Sequence, residues 1–143
     1  MNQLALWAEK KTLAMSKIND AARWLKSGKG INWIPDNIST AVYYAVEGWL
    51  NQCGYTEHFH NNWEVIYRVF RKYAPQELLP ESSYILSKSI FLENELMGDS
   101  LEMEFDMKKW SIESWKEDVH ALILRTKDFI EKIEEDLSSQ RIK

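Results

Sequence analysis

The stretch ISTAVYYAVEGWLNQCGYTEHFHNNWEVIYRVFRKYA, residues 38–74, decides the fold because it joins two helical patterns across a short histidine-bearing loop. In its first half, apolar residues recur at three- and four-residue spacing from Ile38 to Cys53, and Tyr43 and Tyr44 widen the apolar stripe. A helix with so broad an apolar face is expected to pack on several sides. We therefore predict a central helix that begins near Pro35 or Asp36 and ends before Gly54.

The second half of the stretch predicts a shorter amphipathic helix over about residues 62–74. Asn61 and Glu64 have the spacing of a capping box, in which each side chain bonds a free backbone N–H at the start of a helix. Pro75 discourages continuation at the other end. The aromatic residues of this segment fall on one side, and its three basic residues occupy other positions: Arg68, Arg71 and Lys72.

Helical patterns also flank the central stretch on both sides. A stripe that is apolar except for Lys11 predicts one long helix over about residues 2–27. A further helix is predicted over about 81–97, with the apolar residues Ile85, Leu86, Ile90 and Phe91. Another apolar stripe predicts a long helix from Ser111 to about Leu137. Segment 98–110 is interpreted as a loop, and 138–143 as a flexible tail. These elements predict an all-α domain over residues 1–137, an antiparallel up-and-down bundle of about five helices.

Composition narrows the class of protein. Hydrophobic residues make up 45% of the 143 residues and charged residues 28%, a balance typical of a globular domain. The single cysteine, Cys53, excludes an internal disulfide, and no segment is apolar enough to cross a membrane. The first residues lack the apolar run of a secretory signal, so we expect a cytoplasmic protein.

Charge is unevenly distributed along the chain. The net charge of -4 argues against a protein that coats nucleic acid non-specifically. Residues 9–29 nevertheless contain six basic and two acidic residues, whereas residues 93–106 contain six acidic residues and no basic one. The acidic segment would repel a phosphate group placed beside it.

In their order along the chain, four segments resemble the landmarks of the HEPN family of small helical bundles, named for nucleotide binding. They are AARWLKSG at 21–28, Tyr43-Tyr44-Ala45, GYTEHFH at 54–60 and VFRKY at 69–73. The resemblance covers roughly residues 14–97. It implies a helical bundle that forms a homodimer and contacts nucleotide or RNA, and it implies a nucleotidyltransferase partner in a toxin and antitoxin setting.

Many HEPN proteins are metal-independent ribonucleases, and their motif is absent here. In that motif, a histidine follows an arginine after four to six intervening residues, so that arginine stabilises the phosphoryl transition state while histidine transfers a proton. No arginine stands at that spacing before His58, His60 or His120. The end of the fourth helix, where the family has its arginine, reads FLENELMGD. We therefore expect no catalytic residue and no cofactor.

The candidates for contact with nucleotide or RNA are His60, Arg68, Arg71, Lys72 and Tyr44. Basic side chains can bind phosphate, and the neighbouring aromatic rings can stack on bases. These rings belong to Tyr67, Phe70 and Tyr73. The alternative reading makes the aromatic residues core and the basic residues a solvated face. His58 and His60 fall short of a metal-ligand pattern, so no metal site is predicted.

Three hypotheses about function follow. The preferred one is a non-catalytic HEPN-like binding module, dimeric and acting with a partner. The second is a ribonuclease with a non-standard site, for example His60 with Arg68 or Arg71. The third is a structural helical protein with no nucleotide role, such as an accessory protein of a phage or mobile element. Trp33, with Ile31 and Ile34, is also predicted to form an exposed apolar tip.

Overall fold

The computed structural model describes residues 4–55, 62–97 and 111–142, and five α-helices account for most of them. A short 3-10 turn, Ile31–Trp33, lies between the first two helices. No strand occurs in the part of the chain that is described, so the predicted all-α bundle is confirmed. The helices are α1 (Ala5–Ser27), α2 (Ile34–Gln52), α3 (Trp63–Tyr73), α4 (Leu79–Met97) and α5 (Ile112–Ile142).

The predicted stripe of α1 forms its buried face. Trp7, Ala14, Ile18 and Ala21 are all fully buried. Gly28 ends the helix in the left-handed conformation, with φ of 76°, and its N–H donates to the carbonyl oxygen of Trp24. This is the glycine cap that satisfies a terminal carbonyl group.

Helix α2 is central, as its broad apolar face predicts. It packs against all four other helices. Pro35 lies in its first turn, where a missing N–H removes no helical hydrogen bond. Twelve of its 19 residues are buried, including Glu47 and Gly48.

The four longer helices form two antiparallel pairs. A hydrogen bond from the backbone N–H of Trp7 to Gln52 Oε1 (3.1 Å) and another from Asn37 Nδ2 to the carbonyl oxygen of Lys17 (3.4 Å) show that α1 and α2 are antiparallel. Helices α4 and α5 are antiparallel too, since Glu81 contacts Arg125 and the Trp115 indole donates to the carbonyl oxygen of Leu92.

The short helix α3 is the exception, because it runs parallel to α2. Tyr43 stacks on Trp63 near the start of α3, and Tyr55 stacks on Tyr73 at its end. Ten residues separate α2 from α3, and they can span about 33 Å, whereas α3 is only about 16 Å long. The chain is therefore long enough to return beside α2 before α3 begins.

Three sequence-based details differ from the structure. Helix α5 continues to Ile142, so its end lies beyond Leu137 and the predicted tail at 138–142 is helical. The tip around Trp33 is smaller than predicted: Trp33 is 64% exposed, but Ile34 is fully buried as the first residue of α2. The predicted loop at 98–110 lies outside the described residues.

No helix in the described ranges combines the length and apolarity that membrane crossing requires.

Candidate nucleic-acid interface

Helix α3 carries three of the five candidate residues, and a side-chain cap defines its start. The cap is Asn62 rather than the predicted Asn61: Asn62 Oδ1 accepts hydrogen bonds from the backbone N–H groups of Glu64 (3.1 Å) and Val65 (3.3 Å). Such bonds satisfy donors that the first turn leaves free. Capping by either asparagine is compatible with the sequence Asn61-Asn62, so the motif alone could not distinguish them.

The inner face of α3 is an aromatic layer against α2. The Phe70 ring is fully buried and meets Trp49 edge to face, with 5.5 Å between ring centroids. Tyr67 meets Tyr43 at 6.4 Å, and its hydroxyl shares a hydrogen bond of 2.9 Å with Ser82 of α4. Aromatic pairs in these geometries stabilise a core beyond the area they bury. The helical spacing thus places the aromatic residues of α3 mainly in the packing.

The outer face of α3 is basic, and we call Arg68, Arg71 and Lys72 the basic face. All three side chains are exposed. Arg68 forms an ion pair with Glu64 at 3.5 Å, one helical turn earlier. Lys72 lies over the ring of Tyr73, with its Nζ 5.2 Å from the ring centroid. Among the described residues, neither Arg71 nor Lys72 forms an ion pair, so both charges are available to an anion.

Tyr73, one of the aromatic neighbours that could stack on bases, borders the basic face. Its ring is 44% exposed and stacks on Tyr55, with 4.3 Å between centroids and 14° between planes. Stacking holds the ring in one orientation beside Lys72. The sequence signal for it was its place at the end of VFRKY, where an aromatic residue follows two basic ones.

Tyr44 does not join the basic face. Its ring is half-buried and meets Trp63 edge to face at 5.2 Å, on the side of α3 that faces α2. Arg68 follows Trp63 by five positions, which turns it about 140° around the helix. The structure therefore places Tyr44 and Arg68 on different sides of α3.

An ion pair lies beneath Tyr44 that the sequence did not reveal. Lys10 Nζ is 2.7 Å from Glu47 Oε1 and 5.8 Å from the centroid of the Tyr44 ring. The Glu47 side chain is only 9% exposed, so its carboxylate depends on Lys10 for compensation of charge. In the sequence, the only indication of this ion pair was an acidic residue, Glu47, among the apolar residues of α2.

Chemically reactive groups are scarce near this interface. Burial, followed by the nearby charge of Asp136, raises the pKa of the Cys53 thiol to about 11, which disfavours the nucleophilic thiolate. His58 and His60 lie outside the described residues, so the structure does not describe the histidine of the alternative ribonuclease site. The described residues contain no group of three or more His, Cys, Asp or Glu side chains that could hold a metal ion.

Comparisons with protein-family models, with curated proteins and with solved structures found no match to this chain.

Proposed function

We propose that this protein is a non-catalytic HEPN-like binding module that contacts nucleotide or RNA through the basic face of α3. As the resemblance implies, the module would act as a homodimer with a partner such as a nucleotidyltransferase, in a toxin and antitoxin setting. The lack of the family's arginine and histidine pair supports a role in binding rather than cleavage.

The observation that carries the proposal is the local charge of α3. The chain has a net charge of -4, whereas α3 holds three basic residues and one acidic residue, a net charge of +2. Ile66 and Phe70 of this helix are buried, and Tyr67 bonds Ser82 of α4, whereas the three cations are exposed on its outer side. Exposed cations on a rigid helix bind phosphate groups through charge-assisted hydrogen bonds.

Binding of single-stranded RNA at low salt tests the proposal. We expect the triple variant Arg68→Gln, Arg71→Gln and Lys72→Gln to bind a fluorescent oligonucleotide more weakly in anisotropy titrations. If all three cations contact phosphates, the slope of log Kobs against log salt becomes shallower by about 2 in the variant. Circular dichroism verifies that the helical content is unchanged.

A second triple variant serves as the matched control. Lys17→Gln, Lys26→Gln and Lys29→Gln remove the same charge from α1 and the connector after it. We expect this control to keep the wild-type salt slope. Equal loss in both variants would show that RNA responds only to net charge, and no binding by the wild-type protein would favour the structural alternative.

Cleavage of the RNA during the titration would support the second hypothesis instead. In that case His60→Ala should abolish cleavage while the protein stays folded.

A further inference from the structure

Helices α4 and α5 expose several large apolar side chains to solvent. Among the described residues, eight large hydrophobic side chains are exposed, and four of them lie on these two helices. Their exposed fractions range from 43% for Tyr84 to 57% for Ile90. Tyr84, Lys88 and Phe91 share one side of α4, and Asp118 and Arg125 share one side of α5. We call the surface formed by these five residues the α4–α5 face.

Two aromatic rings of the α4–α5 face are held in place by cations of the same chain. The Arg125 guanidinium lies 3.8 Å from the centroid of the Tyr84 ring and also donates to both carboxylate oxygens of Glu81. Lys88 Nζ lies 4.8 Å from the centroid of Phe91. Rings that are already ordered lose less conformational entropy when a partner covers them. Beside them, the two helices border a groove of about 130 Å³.

The charges of the α4–α5 face are complementary across the groove. The contacts of Glu81 with Arg125 and of Leu92 with Trp115 fix the relative level of the helices, and they place Lys88 level with Asp118. Both side chains line the groove, one from each helix. The structure shows no ion pair between them, nor any ion pair of either residue with another described residue.

We propose that a second copy of this chain docks on the α4–α5 face. With a two-fold axis along the groove, α4 of one copy would lie over α5 of the other at the same level. Lys88 of each copy would then face Asp118 of the other, and Tyr84 and Phe91 would pack across the axis. A two-fold interface must be self-complementary, and this surface supplies both partners of each contact.

The size of the α4–α5 face suits a dimer. Helix α4 has 19 residues and is about 28 Å long, and two adjacent helices are about 20 Å wide. The resulting planar area of about 560 Å² is of the order of the roughly 800 Å² of accessible surface that each partner buries in a standard interface. This proposal rests on the homodimer of the proposed function and assigns its interface to the α4–α5 face. That interface is separate from the basic face of α3.

Charge reversal tests the proposal on the whole chain. Sedimentation equilibrium or light scattering should show a dimer for the wild-type protein at micromolar concentrations. In a dimer of the Lys88→Glu variant, the new glutamate of each copy would face Asp118 of the other copy. In a dimer of the Asp118→Lys variant, the new lysine of each copy would face Lys88 of the other copy. We expect each single variant to self-associate at least about tenfold more weakly, because like charges meet at the interface.

Mixing the two single variants distinguishes a second copy from any other partner. In a mixed dimer, the glutamate introduced by Lys88→Glu would face the lysine introduced by Asp118→Lys. The unchanged Lys88 and Asp118 would face each other as well, so both contacts are restored. We therefore expect an equimolar mixture to dimerise at least about tenfold more tightly than either variant alone. A monomeric wild-type protein, or a dimer that neither reversal weakens, would overturn the proposal.

Matched controls separate this proposal from RNA binding. Arg68→Glu alters an exposed charge on α3 and should leave the dimer intact while weakening RNA binding. Circular dichroism of Lys88→Glu and Asp118→Lys must match the wild type. If the protein binds RNA but neither charge reversal weakens its dimer, only the proposed docking surface is wrong. If the charge reversals weaken the dimer but the wild-type protein binds no RNA, only the proposed role of α3 is wrong.

Discussion

The two antiparallel helix pairs of the bundle, α1–α2 and α4–α5, differ in how closely they pack. At Gly48 the backbone of α2 lies so near α1 that an added Cβ atom would be 2.7 Å from Cε3 of Trp7 and 2.8 Å from the Cβ of Lys10. Between α4 and α5, a groove and exposed rings remain. The close contact between α1 and α2 therefore contributes to the stability of the fold. The groove and exposed rings of α4 and α5 instead leave a surface that a partner could cover.

A single substitution at the tightest point of α1–α2 should have the largest effect. We expect Gly48→Val to lower the free energy of unfolding by about 3 kcal/mol, because the fully buried Trp7 ring cannot move away from the new side chain. The better helix propensity of valine offsets only about 0.5 kcal/mol of that loss. Urea denaturation followed by circular dichroism measures the change.

The control for that substitution lies on the other helix pair. Ser87 is exposed on α4, and Ser87→Val should alter the free energy of unfolding by less than about 0.5 kcal/mol. Equal losses at the two positions would remove the contrast between the helix pairs.

Acid should weaken the α1 side of the bundle through Glu134. Hydrogen bonds from Lys11 Nζ and Trp7 Nε1, each 2.9 Å long, lower the pKa of Glu134. Because the folded pKa lies below the unfolded one, this contribution to stability is present above the unfolded pKa and is lost as pH falls through the folded pKa. We expect Glu134→Gln to flatten the decline of unfolding free energy between neutral and acidic pH.

Glu135 provides the comparison for the acid experiment, since it is an exposed neighbour outside that contact. Glu135→Gln should leave the pH profile of stability as in the wild type. A profile that both substitutions flatten equally would show that overall charge, and not the contact with α1, sets the acid sensitivity.

The smallest effect on folding is expected at an exposed apolar side chain of α4. Ile90 is 57% exposed, so Ile90→Gln should alter the free energy of unfolding by less than about 0.5 kcal/mol. The measurement requires concentrations at which the monomer predominates, since association would add to the apparent stability. A loss above about 1 kcal/mol would mean that Ile90 contributes to the core, in conflict with its exposure.

The three- and four-residue spacing of apolar residues predicted the helices well, because the buried side chains of each helix lie along one side of it. The stripe of α1 included one polar residue, Lys11, and the structure explains it by the bond to Glu134. For α4, the same reasoning treated Ile90 and Phe91 as equivalent to Ile85 and Leu86. Only the latter two are buried, because an apolar residue that faces outward looks identical in a sequence.

The contacts between distant segments could not be predicted. The pairing of Glu47 with Lys10 depends on how α1 crosses α2. The contact of Tyr44 with Trp63 depends on the orientation of α3 beside α2. The basic character of α3 was evident from residues 68–72, whereas its separation from Tyr44 required the parallel orientation of α2 and α3. Local spacing determines a helical face but not what covers it.

The two indole groups that reach α5 also control its rotation. Trp7 donates to Glu134, and Trp49 donates to Asp136, 2.9 Å in each case. Side chains two positions apart on a helix point about 200° away from each other, so the two bonds hold α5 from opposite flanks. If α5 turned or slid by one residue, both would break. These bonds near the end of the chain thereby select which residues of α5 face outward beside α4.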